Sequence, residues 1–132
     1  MDYQSFKIEN DNIPGFNEMI LAAKSFGSKR GSYNGYASMK REWGKIIGSR
    51  IRESNIFHID KLFLHLIWNE PTKRRDPDNI ATFIKFILDS LQNEGIIDND
   101  GWKHIDGWTN EFVLSKQRGV EVRLYEHNEP KT

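Results

Sequence analysis

Lys73-Arg74-Arg75 runs directly into Asp76-Pro77-Asp78-Asn79, and a second acidic group, Asp98-Asn99-Asp100, follows further along the chain. Carboxylates gather a hard divalent cation, and adjacent cationic side chains gather phosphate. A metal-dependent enzyme acting on a nucleic-acid backbone needs both. Asp76 and Asp78, with an acid from the later cluster, would supply three carboxylates from two places. That set suits one or two Mg²⁺, with water completing the coordination. Lys85 lies on the polar side of the intervening helix with Asp78, Thr82 and Asp89. Beside a metal–carboxylate cluster its ammonium would offset charge developing on a cleaved phosphate.

Each of these residues also has a plainer reading. Asp76-Pro77 is ordinary capping chemistry, with Asp at the N-cap and Pro at the first helical position. Lys85 and Asp89 make a surface ion pair worth only about a few tenths of a kcal/mol. Asp98-Asn99-Asp100-Gly101 is by default a turn.

The elements that must position these groups follow from periodicity. Residues 4–8 read as a short strand, Ile13-Pro14-Gly15 as a turn, and 16–24 as a short helix. Residues 25–32, rich in Gly and Ser, read as a loop carrying Lys29 and Arg30 near its tip. A helix is expected over 38–53, with Met39, Trp43, Ile46, Ile47 and Ile51 on one face and Arg41, Lys45 and Arg52 opposite. That basic stripe is either a solvated face or a phosphate-binding one. Residues 57–68 read as a central strand covered on both sides, with Leu62, Leu64, Leu66 and Trp68 facing one way and Ile59, Phe63 and Ile67 the other. A single helix from Pro77 to Asn93 should bury Ile80, Phe83, Ile84, Ile87, Leu88 and Leu91, and stop at Gly95. Strands near 109–115 and 120–126 are expected to form a hairpin across Lys116-Gln117-Arg118-Gly119. The order predicts a single α+β domain spanning 1–132, a small mixed sheet packed by helices.

Composition narrows the chemistry. At 132 residues there is room for one core. Without cysteine there are no disulfides, thiolate metal sites or Cys nucleophiles. No run approaches the roughly 18–20 apolar residues of a membrane span, and the start lacks a signal-peptide pattern, so a cytoplasmic protein is expected. Net charge is zero, but between Lys24 and Arg52 eight Lys/Arg face one acid, Glu42. One basic face on a neutral protein can still hold a polyanion. The histidines (His58, His65, His104, His127) lack ligand spacing, and neither a phosphate-binding Gly loop nor a nucleophile elbow is present.

The block Arg74-Arg75-Asp76-Pro77-Asp78-Asn79, then Lys85 before Asp89-Ser90-Leu91, then Gly95-Ile96-Ile97 and Asp100, resembles the RusA-type Holliday junction resolvases. These are small endodeoxyribonucleases often encoded by prophages. The resemblance covers about residues 73–105, while Ile13-Pro14-Gly15-Phe16-Asn17 and the basic helix match in placement only. It implies a RusA-like α+β fold, a Mg²⁺ cofactor (Mn²⁺ as a substitute), and a homodimer acting on four-way DNA junctions in recombination and repair. It also implies that Asp76, Asp78 and Asp100 are the metal ligands and that Lys85 is essential for cleavage. This chain departs from the family in a longer stretch between Asn79 and Lys85, and in Asp98-Asn99-Asp100 where adjacent acids are usual. Of the two turn acids, Asp100 keeps the family's spacing from Asp89. Lys73, Arg74, Arg75, Arg41, Lys45, Arg52, Lys29 and Arg30 are the expected DNA contacts. The competing expectations are a nuclease acting on flaps or forks, and a non-catalytic module that only binds branched DNA.

Overall fold

The computed structural model describes residues 2–24 and 35–127. Lys29 and Arg30, with their expected loop, lie outside that range. Among the described residues the elements are β1 (Gln4–Glu9), α1 (Phe16–Lys24), α2 (Gly35–Glu53), β2 (Leu62–Glu70), α3 (Pro77–Ala81), α4 (Ile84–Asn93), β3 (Ile105–Leu114) and β4 (Gly119–Glu126). The strands form one sheet in the order β1-β4-β2-β3. β2 and β3 run parallel, whereas β4 is antiparallel to both β1 and β2. The fold is therefore α+β with a mixed sheet.

Strict alternation decides how β2 is buried. Leu62, Leu64, Leu66 and Trp68 are fully enclosed, while Phe63, His65, Ile67 and Asn69 are half-buried. The strand is central, as expected, but the helices cover only one of its faces. It also begins at Leu62 rather than near residue 57. Ile59 is buried outside the strand, and its N–H donates to the Ile96 carbonyl at 2.8 Å.

The expected hairpin does not form, because β2 lies between β3 and β4. Burial explains the arrangement. Val120, Val122 and Leu124 of β4 belong inside the sheet, whereas β3 carries Asp106, Thr109, Asn110 and Glu111 and suits an edge. The segment after β3 crosses the end of β2 instead, with the Ser115 N–H donating to the Glu70 carbonyl.

The expected single helix over 77–93 is broken at Thr82 and Phe83. The Thr82 hydroxyl donates to the Asp78 carbonyl at 2.9 Å, and the N–H groups of Phe83 and Phe86 donate to carbonyls three residues back. Back-bonding of this kind bends helices, and i→i+3 bonds tighten the turn. The turn carries Phe83 into an aromatic cluster, edge-on to Trp43 (5.2 Å), Trp68 (6.4 Å) and Phe86 (5.9 Å). Chain reversal after α4 uses Gly95 at φ 75°, as its position in the sequence implies.

The start of α1 is tied to the Asp-Pro-Asp-Asn segment. Gly15 stands at its N-cap and has no side chain to cap the helix. Glu18 reaches back to the Gly15 N–H at 2.7 Å, and Asn79 Oδ1 accepts the Asn17 N–H at 2.9 Å. A Cβ on Gly15 would lie 2.8 Å from both the Asn79 carbonyl and its Oδ1. Only glycine allows that approach.

Candidate active site

The carboxyl ends of parallel strands β2 and β3 frame a cavity of about 260 Å³, lined by Glu70, Thr72, Lys73, Arg75, Asp76 and the end of β3 among others. Clefts outside the carboxyl ends of parallel strands are the usual ligand position in α/β sheets. At its floor Glu70 is 5% exposed. The Glu70 carboxylate accepts from Arg75 Nη2 at 2.6 Å and Nε at 3.2 Å. Arg118 Nε lies 3.2 Å away, close enough for charge attraction but without a hydrogen bond. Arg75 also donates to the Ile13 carbonyl at 2.9 Å. Arg75 is thus committed to holding the segment before Asp76, not presented to solvent.

Asp76 is the N-cap residue of α3 by position, yet its side chain makes no capping hydrogen bond. Its backbone carbonyl accepts the Ile80 N–H, leaving the exposed carboxylate available at the cavity. Asp78 is exposed one residue into α3 and accepts the N–H of Asn79 at 2.9 Å. Lys85, exposed in the first turn of α4, has no ion pair among the described residues. The plainer reading, a Lys85–Asp89 surface pair, is not formed; Asp89 faces Lys40 of α2 instead, with Nζ 3.4 Å from Oδ2.

Asp100 is not brought to these groups within one protomer. α4 carries the chain back along the sheet, and the Ile59–Ile96 and Leu62–His104 backbone bonds fix the 98–104 loop at the amino end of β2. The nine residues of β2 separate the two ends by about 26 Å at a rise of about 3.3 Å per residue.

At that far end the described residues contain one set of three ligand-type side chains within 4.8 Å of one another: Asp60, Asp98 and His104. This group could hold a metal ion. Asp76, Asp78 and Asp100 do not form such a set. His104 is buried and its Nδ1 lies 2.8 Å from the Asp60 carbonyl, while His58 Nε2 lies 3.2 Å from Asp98 Oδ1. Sequence spacing gave no signal for this set or for Glu70. Asp60 precedes β2 while Asp98 and His104 bound one loop before β3, and only the parallel crossover between β2 and β3 makes them neighbours.

The expected DNA-contacting residues divide by how far they are already engaged. Lys73, Arg74, Arg41 and Lys45 are exposed. Lys45 faces Glu42 at 3.7 Å and Arg41 donates to Ser38 at 3.1 Å, both loose surface contacts. Arg52 is bound to Glu94 at 2.5 Å, joining α2 to the end of α4. Ile46, expected on the buried face of α2, is partly exposed beside them. Among the described residues no helix is long and apolar enough to cross a membrane. No family model matches the chain, and no curated protein matches it.

Proposed function

We propose that this protein is a divalent-cation-dependent endodeoxyribonuclease that nicks branched DNA, four-way junctions above all, in the cytoplasm as a homodimer. The observation that carries the reading is the cavity at the carboxyl ends of β2 and β3. There, an uncommitted Asp76 carboxylate stands beside Lys73, with Arg75 locked beneath by Glu70. A residue serving only as a helix cap would spend its carboxylate on the helix. Asp76 does not, and this disfavours the binding-module reading.

Asp76 and Asp78 are the nearer metal ligands in this account. Oxygen-only donors suit Mg²⁺, which ordinarily binds through one or two carboxylates and keeps several waters. Bound there, the ion would polarise the scissile phosphate and help generate the attacking hydroxide. Lys85, unpaired at the start of α4, supplies positive charge to the cleaved phosphate, while Lys73 and Arg74 hold the backbone without reading sequence.

Asp100 enters from a second protomer. β3 is an edge strand of ten residues bearing exposed Trp108, Phe112 and Leu114. Two-fold antiparallel pairing of β3 with its copy covers that edge and sets the start of one β3 beside the end of the other. Asp100, just before β3, would then stand at the partner's cavity, giving two composite sites. A four-way junction is itself two-fold symmetric, and two related sites suit paired nicks. Incubating a mobile four-way junction, a fork and a linear duplex with the protein tests the reading. It requires Mg²⁺-dependent nicking with preference for the junction. Binding without cleavage under Mg²⁺ and Mn²⁺ would make the protein a binding module, and preferential fork or flap cleavage would change the substrate.

A further inference from the structure

The Asp60–Asp98–His104 group stands at the opposite end of β2 from Asp76, and its ligands bracket a loop. Asp98 and His104 are the two ends of the segment carrying Asp100, Trp102 and Lys103, and Asp60 belongs to the body of the fold. Backbone hydrogen bonds hold all three in place. The Ile59 N–H meets the Ile96 carbonyl at 2.8 Å, the Leu62 N–H meets the His104 carbonyl at 2.8 Å, and the N–H groups of His104 and Ile105 both meet the Gly101 carbonyl. The group is therefore positioned by the sheet and its flanking turns, not by mobile side chains alone.

We infer that Asp60, Asp98 and His104 form a second cation site, which takes a first-row transition ion such as Zn²⁺ or Mn²⁺ and clips both ends of the 98–104 loop to the body. One imidazole nitrogen with two carboxylates favours such ions over Mg²⁺, whose preferred ligands are oxygens. His104 has only 6% of its side chain exposed, and its ring is oriented by the Asp60 carbonyl, the support that metal-binding imidazoles ordinarily receive. Asp60 and Asp98 are 82% and 65% exposed, which leaves room for water to complete the sphere. His58, against Asp98, orients that carboxylate. Between the clipped ends, Trp102 is 97% exposed, so little packing otherwise restrains the loop tip.

Titration calorimetry with Zn²⁺ alone tests this without reference to any nuclease activity. The wild type should bind Zn²⁺ saturably. Asp60→Asn/Asp98→Asn should weaken that binding by on the order of a hundredfold, since direct ligands matter at least as much as their supports. Both residues are exposed, so the double variant should fold, unlike a change at buried His104. Asp76→Asn/Asp78→Asn should retain this Zn²⁺ binding. Zn²⁺ should also slow tryptic cleavage after Lys103 in the wild type but not in the Asp60→Asn/Asp98→Asn protein. Unchanged affinity in that protein, or binding lost only in Asp76→Asn/Asp78→Asn, overturns the clip and leaves the nuclease proposal standing.

Discussion

Replacing Glu70 with Gln removes the carboxylate that Arg75 and Arg118 share at the floor of the cavity, leaving Arg75 a looser contact with Glu18 at 3.6 Å. The carboxylate is 7% exposed, and the two arginine side chains 13% and 22%. Breaking a buried ion pair from one side costs about 3–5 kcal/mol, because the remaining charge stays desolvated and loses its close partner. The Gln amide keeps one acceptor for Arg75 and Glu18 still offsets part of its charge, so the lower end of that range, about 3 kcal/mol, is expected. For 132 residues the unfolding entropy near the midpoint is about 0.28 kcal/mol per kelvin, and the loss corresponds to a fall of about 10 °C in Tm. Urea denaturation followed by far-UV circular dichroism, with a thermal scan alongside, measures both quantities. Arg75→Gln should destabilise comparably, and the Glu70→Gln/Arg75→Gln pair should cost less than the sum of the two. A Glu70→Gln protein within about 1 kcal/mol of wild type would refute the reasoning, since exposed surface pairs contribute at most about that much.

Asp76→Asn should abolish Mg²⁺-dependent nicking while changing stability by less than about 0.5 kcal/mol, because no capping hydrogen bond is lost; junction gel shifts and melting curves check the two halves. Lys85→Ala should leave junction affinity near wild type and slow single-turnover cleavage on the order of a hundredfold, with poor rescue by Lys85→Arg. A wild-type single-turnover rate would make Lys85 a surface residue. Charge reversal at Arg41 and Lys45 together should weaken binding to all DNA shapes and flatten the dependence of log Kd on log salt. An unchanged slope in fluorescence anisotropy would remove α2 from the interface.

Local pattern was enough for some elements and not for others. Alternation through Leu62–Trp68 and the bounds of α1 were legible because each is set by nearest-neighbour periodicity. Strand neighbours were not, since whether Gly119–Glu126 pairs with Ile105–Leu114 depends on which strand can tolerate an edge. The helix break at Thr82 depends on one hydroxyl and on where Phe83 must pack. At the site, Asp76 and Lys73 share one loop and were legible together. The burial of Arg75 was hidden, because its partner Glu70 looks like any polar end to a strand. The placement of Asp100 far from Asp76 follows from the direction of α4, which spacing alone cannot convey.

The proposed composite site makes a demand that no site within one protomer would make. On that proposal, Asp78→Asn and Asp100→Asn homodimers would each carry two damaged sites and should be inactive. Co-refolded at equal concentrations, half of the dimers would be mixed, each with one intact and one doubly damaged site, so nicking should return to about a quarter of wild type. Nicking of a four-way junction in Mg²⁺, measured by single-strand release at saturating protein, reads this directly. Recovery near that level supports Asp76 and Asp78 acting with the Asp100 of a second copy. Mixed dimers as inactive as their parents would contradict it.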